Sequence, residues 1–140
     1  MTILLSVPIT TPNAAVAGPV LQVGRRAGVP NNALLQGKLT YGSGGTTIDA
    51  WVQTSLDGGV TWCDVANFHF TTASARFVFN LSSTTVITTQ ATPTDGTMAA
   101  NTSSSGLIGP RWRVKYSSTG TYAGTTLEVD MEADQPLTSL

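Results

Sequence analysis

The residues able to do chemistry in this chain are few, and their spacing keeps them apart. His69 is the only histidine and Cys63 the only cysteine, and both fall on one face of a stretch with strand periodicity. A strand rises about 3.3 Å per residue, so the two stand about 20 Å apart, too far for a Cys–His dyad or for two ligands of one metal ion. His69 therefore reads as a partly exposed strand residue. Asp49, Asp57, Asp64 and Asp95 are scattered singly. Glu128, Asp130 and Glu132 alternate along one strand with basic partners to hand, so neither an acid–base pair nor a metal cage is spelled out. No calcium-loop pattern occurs, and the Gly-Ser-Gly-Gly stretch at 42–45 lies between strands, without the helix behind it that a phosphate loop needs. The expectation is no enzyme, no cofactor and no metal.

The chain's clearest statement is architectural. Residues Ser55 to Trp62 read S-L-D-G-G-V-T-W. Ile48, Ala50 and Val52 alternate with Thr47, Asp49 and Gln53 before this break, and Trp62, Ala66, Phe68 and Phe70 alternate with Cys63, Val65, Asn67 and His69 after it. Period-two writing around Asp-Gly-Gly is a β-hairpin signal. The two apolar rows can share a core only if the loop has an odd number of residues, three or five, with Gly58 or Gly59 at positive φ. The spelling S-x-D-x-G-x-T-W also resembles the Asp box of sialidases and other β-propeller proteins. That resemblance implies turn chemistry for Asp57, Gly58, Gly59 and Trp62. Propellers repeat their boxes blade by blade, and this chain carries one copy, so a sialidase-like hydrolase ranks last.

Length and composition set the bounds. A chain of 140 residues fits one domain with a real hydrophobic core. Seven Lys+Arg against eight Asp+Glu leave a net charge of -1, so no overall field draws in nucleic acid or an anionic membrane. Charged residues supply only 11% of positions, where about a quarter is usual. Solvated charge keeps free monomers apart, so this surface suits an assembly, although Thr-rich strands also favour β structure for their own sake. One cysteine excludes an intrachain disulfide. The start M-T-I-L-L-S-V-P-I-T lacks the basic residues of a signal peptide, and no apolar run approaches the roughly 20 residues of a membrane span.

Along the chain, residues 1–32 are expected to be an extended N-terminal arm with one or two short strands, Ile3 to Ile9 and Val20 to Val23, because prolines and G-R-R-A-G-V-P-N-N interrupt it. An ordinary first strand is the alternative. Residues 33–140 are expected to be an antiparallel β-sandwich, jelly-roll or immunoglobulin-like. In A-R-F-V-F-N-L at 75–81, Phe77, Phe79 and Leu81 share a face, and Val86 to Thr89 is a weaker strand candidate. Residues 90–106 form a long aperiodic loop of the kind that carries interactions, with one possible helical turn at Met98 to Asn101.

Two further strands alternate strictly. R-W-R-V-K-Y puts Trp112, Val114 and Tyr116 on one face and Arg111, Arg113 and Lys115 on the other; T-L-E-V-D-M-E puts Leu127, Val129 and Met131 inward and Glu128, Asp130 and Glu132 outward. If the intervening S-S-T-G-T-Y-A-G turns the chain, the bases lie beside the acids in a register-setting ladder, each pair contributing about 0.2–1 kcal/mol. Trp51, on the polar side of its strand, is the best single contact candidate, or else it is covered by the arm.

The stretch from Leu35 to Met131 carries the segments G-K-L-T-Y-G-S-G-G-T-T, V-Q-T-S-L-D-G-G-V-T-W, N-F-H-F-T-T-A-S-A-R, T-D-G-T and R-V-K-Y-S-S-T-G-T-Y-A-G-T-T-L. In these it resembles small uncharacterised proteins of the structural modules of tailed phages and prophages. The resemblance implies a virion component, with other virion proteins such as the major capsid protein or head–tail components as partners and a homo-oligomeric state. It transfers no binding residue. A capsid decoration or cement protein is the preferred role, and a neck, tail or fibre-base module is the alternative. The expected contact residues are Trp51, Ile3, Leu4 and Leu5 of the arm, and Met98 of the long loop. The rival from another class is a carbohydrate-binding sandwich in which exposed Trp51 and Tyr122 stack on sugar rings.

Overall fold

The computed structural model describes residues 1–23 and 29–140. The G-R-R-A-G part of the expected arm lies outside the described residues. The strands are β1 (Thr2–Ile9), β2 (Asn13–Ala17), β3 (Leu21–Val23), β4 (Asn32–Thr40), β5 (Ser43–Gly44), β6 (Thr47–Ser55), β7 (Cys63–Phe70), β8 (Ala75–Ser82), β9 (Arg111–Thr119), β10 (Tyr122–Ala123), β11 (Thr125–Ala133) and β12 (Leu137–Ser139). All pairings between them are antiparallel.

Two sheets pack face to face. One has the order β1-β11-β4-β8; the other runs β12-β3-β9-β6-β7, with β2 also pairing β9. Their logic is that of one long hairpin rolled up. Its tip is the Ser55–Trp62 turn, β6 pairs β7, β4 pairs β8, β2 and β3 pair β9, and β1 pairs β11. Rolling then brings β11 against β4 and β9 against β6. This is the jelly-roll arrangement, so of the two sandwich types expected, the strand order selects one.

The core lies between the sheets and follows the alternation written in the strands. Ile48, Ala50 and Val52 of β6, Phe68 and Phe70 of β7, and Trp112 and Val114 of β9 face Leu35 and Leu39 of β4 and Leu127, Val129 and Met131 of β11, all buried. Burying one such side chain stabilises the fold by about 1.5–3 kcal/mol. The Phe77, Phe79, Leu81 face closes one side: Phe79 sits 5.2 Å from Phe68 and Phe77 stacks 5.4 Å from Phe70, centroid to centroid.

Residues 1–23 are part of this sandwich rather than an arm outside it. β1 is an edge strand on β11, and Leu4, Leu5 and Ile9 belong to the core. Leu4 and Leu5 are therefore core residues, not contact residues. The reason is a register shift between Ile3 and Leu5, a bulge that turns both adjacent leucines inward and leaves Ile3 facing out. Val86 to Thr89 is not a strand, and Met98 to Asn101 forms a turn without a helix.

The charge ladder does not form. β9 and β11 belong to different sheets, so Arg111, Arg113 and Lys115 lie on the outer face of one sheet and Glu128, Asp130 and Glu132 on the outer face of the other. Each strand had an apolar face to bury, and a hairpin would have placed both faces on the same side. Crossing between the sheets lets Trp112 and Val114 pack opposite Leu127 and Val129.

The central hairpin has the outer register that its apolar rows required, Ile48 opposite Phe70, Ala50 opposite Phe68 and Val52 opposite Ala66. Gly58 and Gly59 both have positive φ, 73° and 91°. Its loop is longer than three or five residues, running from Leu56 to Trp62. The register shifts after Val52, so that Gln53 faces Asp64 and Val65 is the extra residue. This bulge inverts the parity of everything between it and the turn. Cys63 then faces Thr54 on the inward side, away from His69, and Trp62 lies outside the core cluster.

Candidate functional site

The turn at the hairpin tip is held by its own side chains. Ser55 Oγ donates to Asp57 Oδ1 at 2.9 Å and accepts from Gly59 N at 2.8 Å, while Thr61 N donates to Asp57 Oδ1 at 2.8 Å. The Thr61 hydroxyl bonds the other Asp57 oxygen. These bonds, the Thr61 hydroxyl first, lower the Asp57 carboxyl to about 2. Arg111 reaches the Gly58 carbonyl, and the Arg113 guanidinium lies 4.3 Å above the Trp62 ring, a cation–π contact. Asp57 is thereby occupied within the turn, and Leu56 and Val60 project from it into solvent.

Beside the tip, the long loop folds back as a roof on the β12-β3-β9-β6-β7 sheet. Its anchor is Asp64, whose carboxylate accepts from Thr94 Oγ1 at 2.8 Å, Gly96 N at 2.8 Å, Thr97 N at 3.0 Å and Met98 N at 3.1 Å. Successive backbone N–H groups converging on one anion form a nest, and Gly96 supplies the positive φ, 81°, that the turn needs. Gln53 Nε2 bridges Asp64 and Asp95 at 2.8 and 2.7 Å, and Arg113 Nε donates to Gln53 Oε1 at 2.8 Å. Asp95 also takes Lys115 Nζ at 3.1 Å. Burial opposes ionisation of Asp95, but the bonds from Gln53 and Lys115 and the charges of Lys115 and Arg113 hold its carboxyl below the usual range. The basic stripe of β9 is thus absorbed by the turn and the roof.

Trp51 lies under this roof. Its indole N–H donates to the Met98 carbonyl at 3.0 Å, and the side chain is buried. Trp51 is therefore covered by the chain's own long loop, not by an arm or a partner, and Met98 serves the same intramolecular contact. Farther along, Asn67 N donates to Thr102 O and Ser104 N to Val65 O, both at 2.8 Å, so the loop also closes the free edge of β7.

The one His–carboxylate pair sits beyond the roof. His69 Nδ1 lies 2.9 Å from Asp49 Oδ1, and Asn67 Nδ2 donates to the same oxygen at 3.2 Å. Asp49 is in register with His69 on one side and with Ser117 on the other. The order across the strands is therefore serine, aspartate, histidine. Adjacent strands are about 4.8 Å apart, which puts Ser117 about 10 Å from His69, and a nucleophile must instead touch its base. Tyr122, the other proposed sugar platform, is buried, with its hydroxyl donating to Thr71 O at 2.9 Å.

The outer face of the β1-β11-β4-β8 sheet has no such roof among the described residues. One row crosses all four strands: Ile3, Asp130, Gln36 and Val78. Ile3, Leu34 and Val78 remain 56%, 44% and 53% exposed. Between them Asp130 is only 3% exposed; Gln36 Nε2 donates to its Oδ2 at 3.2 Å. Burial, reinforced by neighbouring Glu128, pushes the Asp130 carboxyl above its ordinary value. Glu128 faces Lys38, and Glu132 takes the amino group of Met1. Of the expected contact residues, Ile3 alone stands free on a surface.

Sequence reasoning missed Asp64, Gln53 and Asp95 as the organisers of the roof, and missed the burial of Asp130. The D-G of T-P-T-D-G-T signalled the turn at Gly96, but nothing local marks which strand the loop will cover. No protein-family model, no curated protein and no solved structure matches the chain.

Proposed function

We propose that this protein is a structural component of a tailed-phage virion, a capsid decoration or cement protein that docks on the shell through the outer face of its β1-β11-β4-β8 sheet. The observation that carries the reading is the contrast between the two outer faces. One is closed by the chain's own loop over Trp51. The other presents Ile3, Leu34 and Val78 to solvent. Exposed apolar side chains spaced across the sheet from β1 to β8, with 11% charged residues in the whole chain, fit a partner that finishes the surface. The jelly roll serves capsid and lectin domains alike, so the fold leaves the choice to the surface. The sequence segments resembling phage structural modules favour a virion partner, and the burial of Trp51 and Tyr122 removes the rings on which the sugar-binding reading relied.

The experiment adds purified protein to capsid shells lacking it and measures bound copies and shell survival on heating. Saturable binding that raises the survival temperature is expected, and Ile3→Lys with Leu34→Lys abolishes it while the variant stays folded. Absence of binding, or imaging that places the protein on the tail axis, overturns the decoration role.

A further inference from the structure

Sheet edges expose unpaired backbone donors and acceptors, and proteins guard them with bulges, prolines, short strands or covering segments. Three of the four sides here are guarded. β7 is covered by the 94–104 loop through Asp64 N→Thr94 O, Asn67 N→Thr102 O and Ser104 N→Val65 O. β1 carries a bulge at Leu4 and a proline, Pro8, within the strand. Beyond β9, β2 is broken by a register shift at Ala15, whose φ is 53°, and β12 has three residues.

β8 has no bulge, no proline and no shortening, and it is covered only at its last residue, where Ser105 Oγ accepts from Ser82 N at 3.1 Å and donates to Ser82 O at 3.2 Å. It runs eight residues, A-R-F-V-F-N-L-S, with no proline and one charge, and its register with β4 is unbroken from Asn32 opposite Ser82 to Leu39 opposite Ala75. Among the described residues no strand pairs its other edge, which is open from Arg76 to Asn80. Phe77 and Val78 are 41% and 53% exposed there.

We infer that β8 is a dimerisation edge: it pairs antiparallel with β8 of a second copy about a two-fold axis at Val78, joining two four-stranded sheets into one of eight strands. The occupant follows from the side-chain order, whose apolar and polar character is symmetric about that residue. Val78 meets Val78, Phe77 meets Phe79 and Ala75 meets Leu81, and the pairing ends short of Ser82, which Ser105 holds. The one charged residue, Arg76, meets Asn80, whose amide oxygen accepts from a guanidinium, so no like charges oppose each other. The register holds whichever way the Val78 backbone groups point, because a residue on the axis forms either a bonded or a non-bonded symmetric pair.

This pairing belongs to the free protein and does not rest on the shell reading. Sedimentation equilibrium of the full chain, without shells, is expected to give the mass of two copies. Val78→Lys, at an outward position, sets two ammonium groups together on the axis and raises the dissociation constant at least about tenfold, while Val60→Lys at the solvent-exposed hairpin tip leaves it unchanged. In a Cys63→Ser background, oxidised Val78→Cys forms a disulfide dimer, since facing Cα atoms about 4.5–5.5 Å apart satisfy its geometry. Arg76→Cys alone does not cross-link, and a mixture of Arg76→Cys with Asn80→Cys does. A monomeric protein, a dimer indifferent to Val78→Lys, or self-linking of Arg76→Cys in preference to Val78→Cys overturns the proposal, and none of these results bears on shell binding.

Discussion

Gly37, in the middle of β4, lies against the ring of Phe68 on β7 in the facing sheet. A Cβ on Gly37 would stand 2.5 Å from Phe68 Cγ and 2.8 Å from both Cδ atoms. The glycine is there because the two sheets close to contact at that point, and a fully buried Phe68 fills the space that a side chain would take.

Gly37→Ala is therefore expected to destabilise the fold by about 1–3 kcal/mol through overpacking, read from urea unfolding. Phe68→Leu in the same chain should recover part of that loss, with a coupling of about 0.5–3 kcal/mol in the double-mutant cycle. Additive losses would mean that the two residues do not share the space.

The roof over Trp51 depends on one carboxylate. Asp64→Ala leaves Gly96, Thr97 and Met98 N–H groups without their acceptor and should cost about 3 kcal/mol, the loss typical of charge-assisted bonds to a buried group. Acrylamide should then quench more of the tryptophan fluorescence, because Trp51 loses its cover. Unchanged quenching would place the anchor elsewhere.

Asp57 gives the hairpin tip a pH dependence of known sign. Its folded value of about 2 lies below the ordinary 3.8, so its contribution is present above the ordinary value and is lost as pH falls through the folded one. Asp57→Asn should lower the melting temperature at pH 7, with the gap from wild type closing toward pH 2. A gap independent of pH would assign the effect to shape rather than charge.

Asp130 has the opposite sign. Its carboxyl is raised by burial and by Glu128, so the stability it lends is greatest when protonated and is lost as pH rises from the ordinary carboxylate range through its folded value. Asp130→Asn, which keeps an oxygen for Gln36, should be more stable than wild type by about 1 kcal/mol at neutral pH, with the difference vanishing in acid. A less stable variant at neutral pH would show that the ionised form is the one the fold uses.

Composition and resemblance point to an assembly, yet most of the residues whose types suit such contacts are used within the fold. Trp51 was legible as a large ring on a polar face, but the loop that covers it comes from residues 94–104, and no local pattern connects Met98 to Trp51 across 47 positions. Leu4 and Leu5 read as exposed arm because a bulge is invisible in alternation, where one extra apolar residue looks like noise. Val65 hid the same way and reversed the faces of Cys63 and Trp62.

What the sequence by itself determined is which side of each unbulged strand run is buried: Ile48, Ala50 and Val52 with Ala66, Phe68 and Phe70, Trp112 and Val114, Leu127 and Val129, together with the glycines at the hairpin tip. Only the tertiary structure decided which strand lies beside which. Alternation fixes the face of a strand because the pleat has period two, whereas cross-strand pairs differ by only about 0.2–1 kcal/mol, too little to choose a neighbour. That choice fell to burying every apolar face at once, which sent β9 and β11 to opposite sheets and parted the basic residues from the acidic ones.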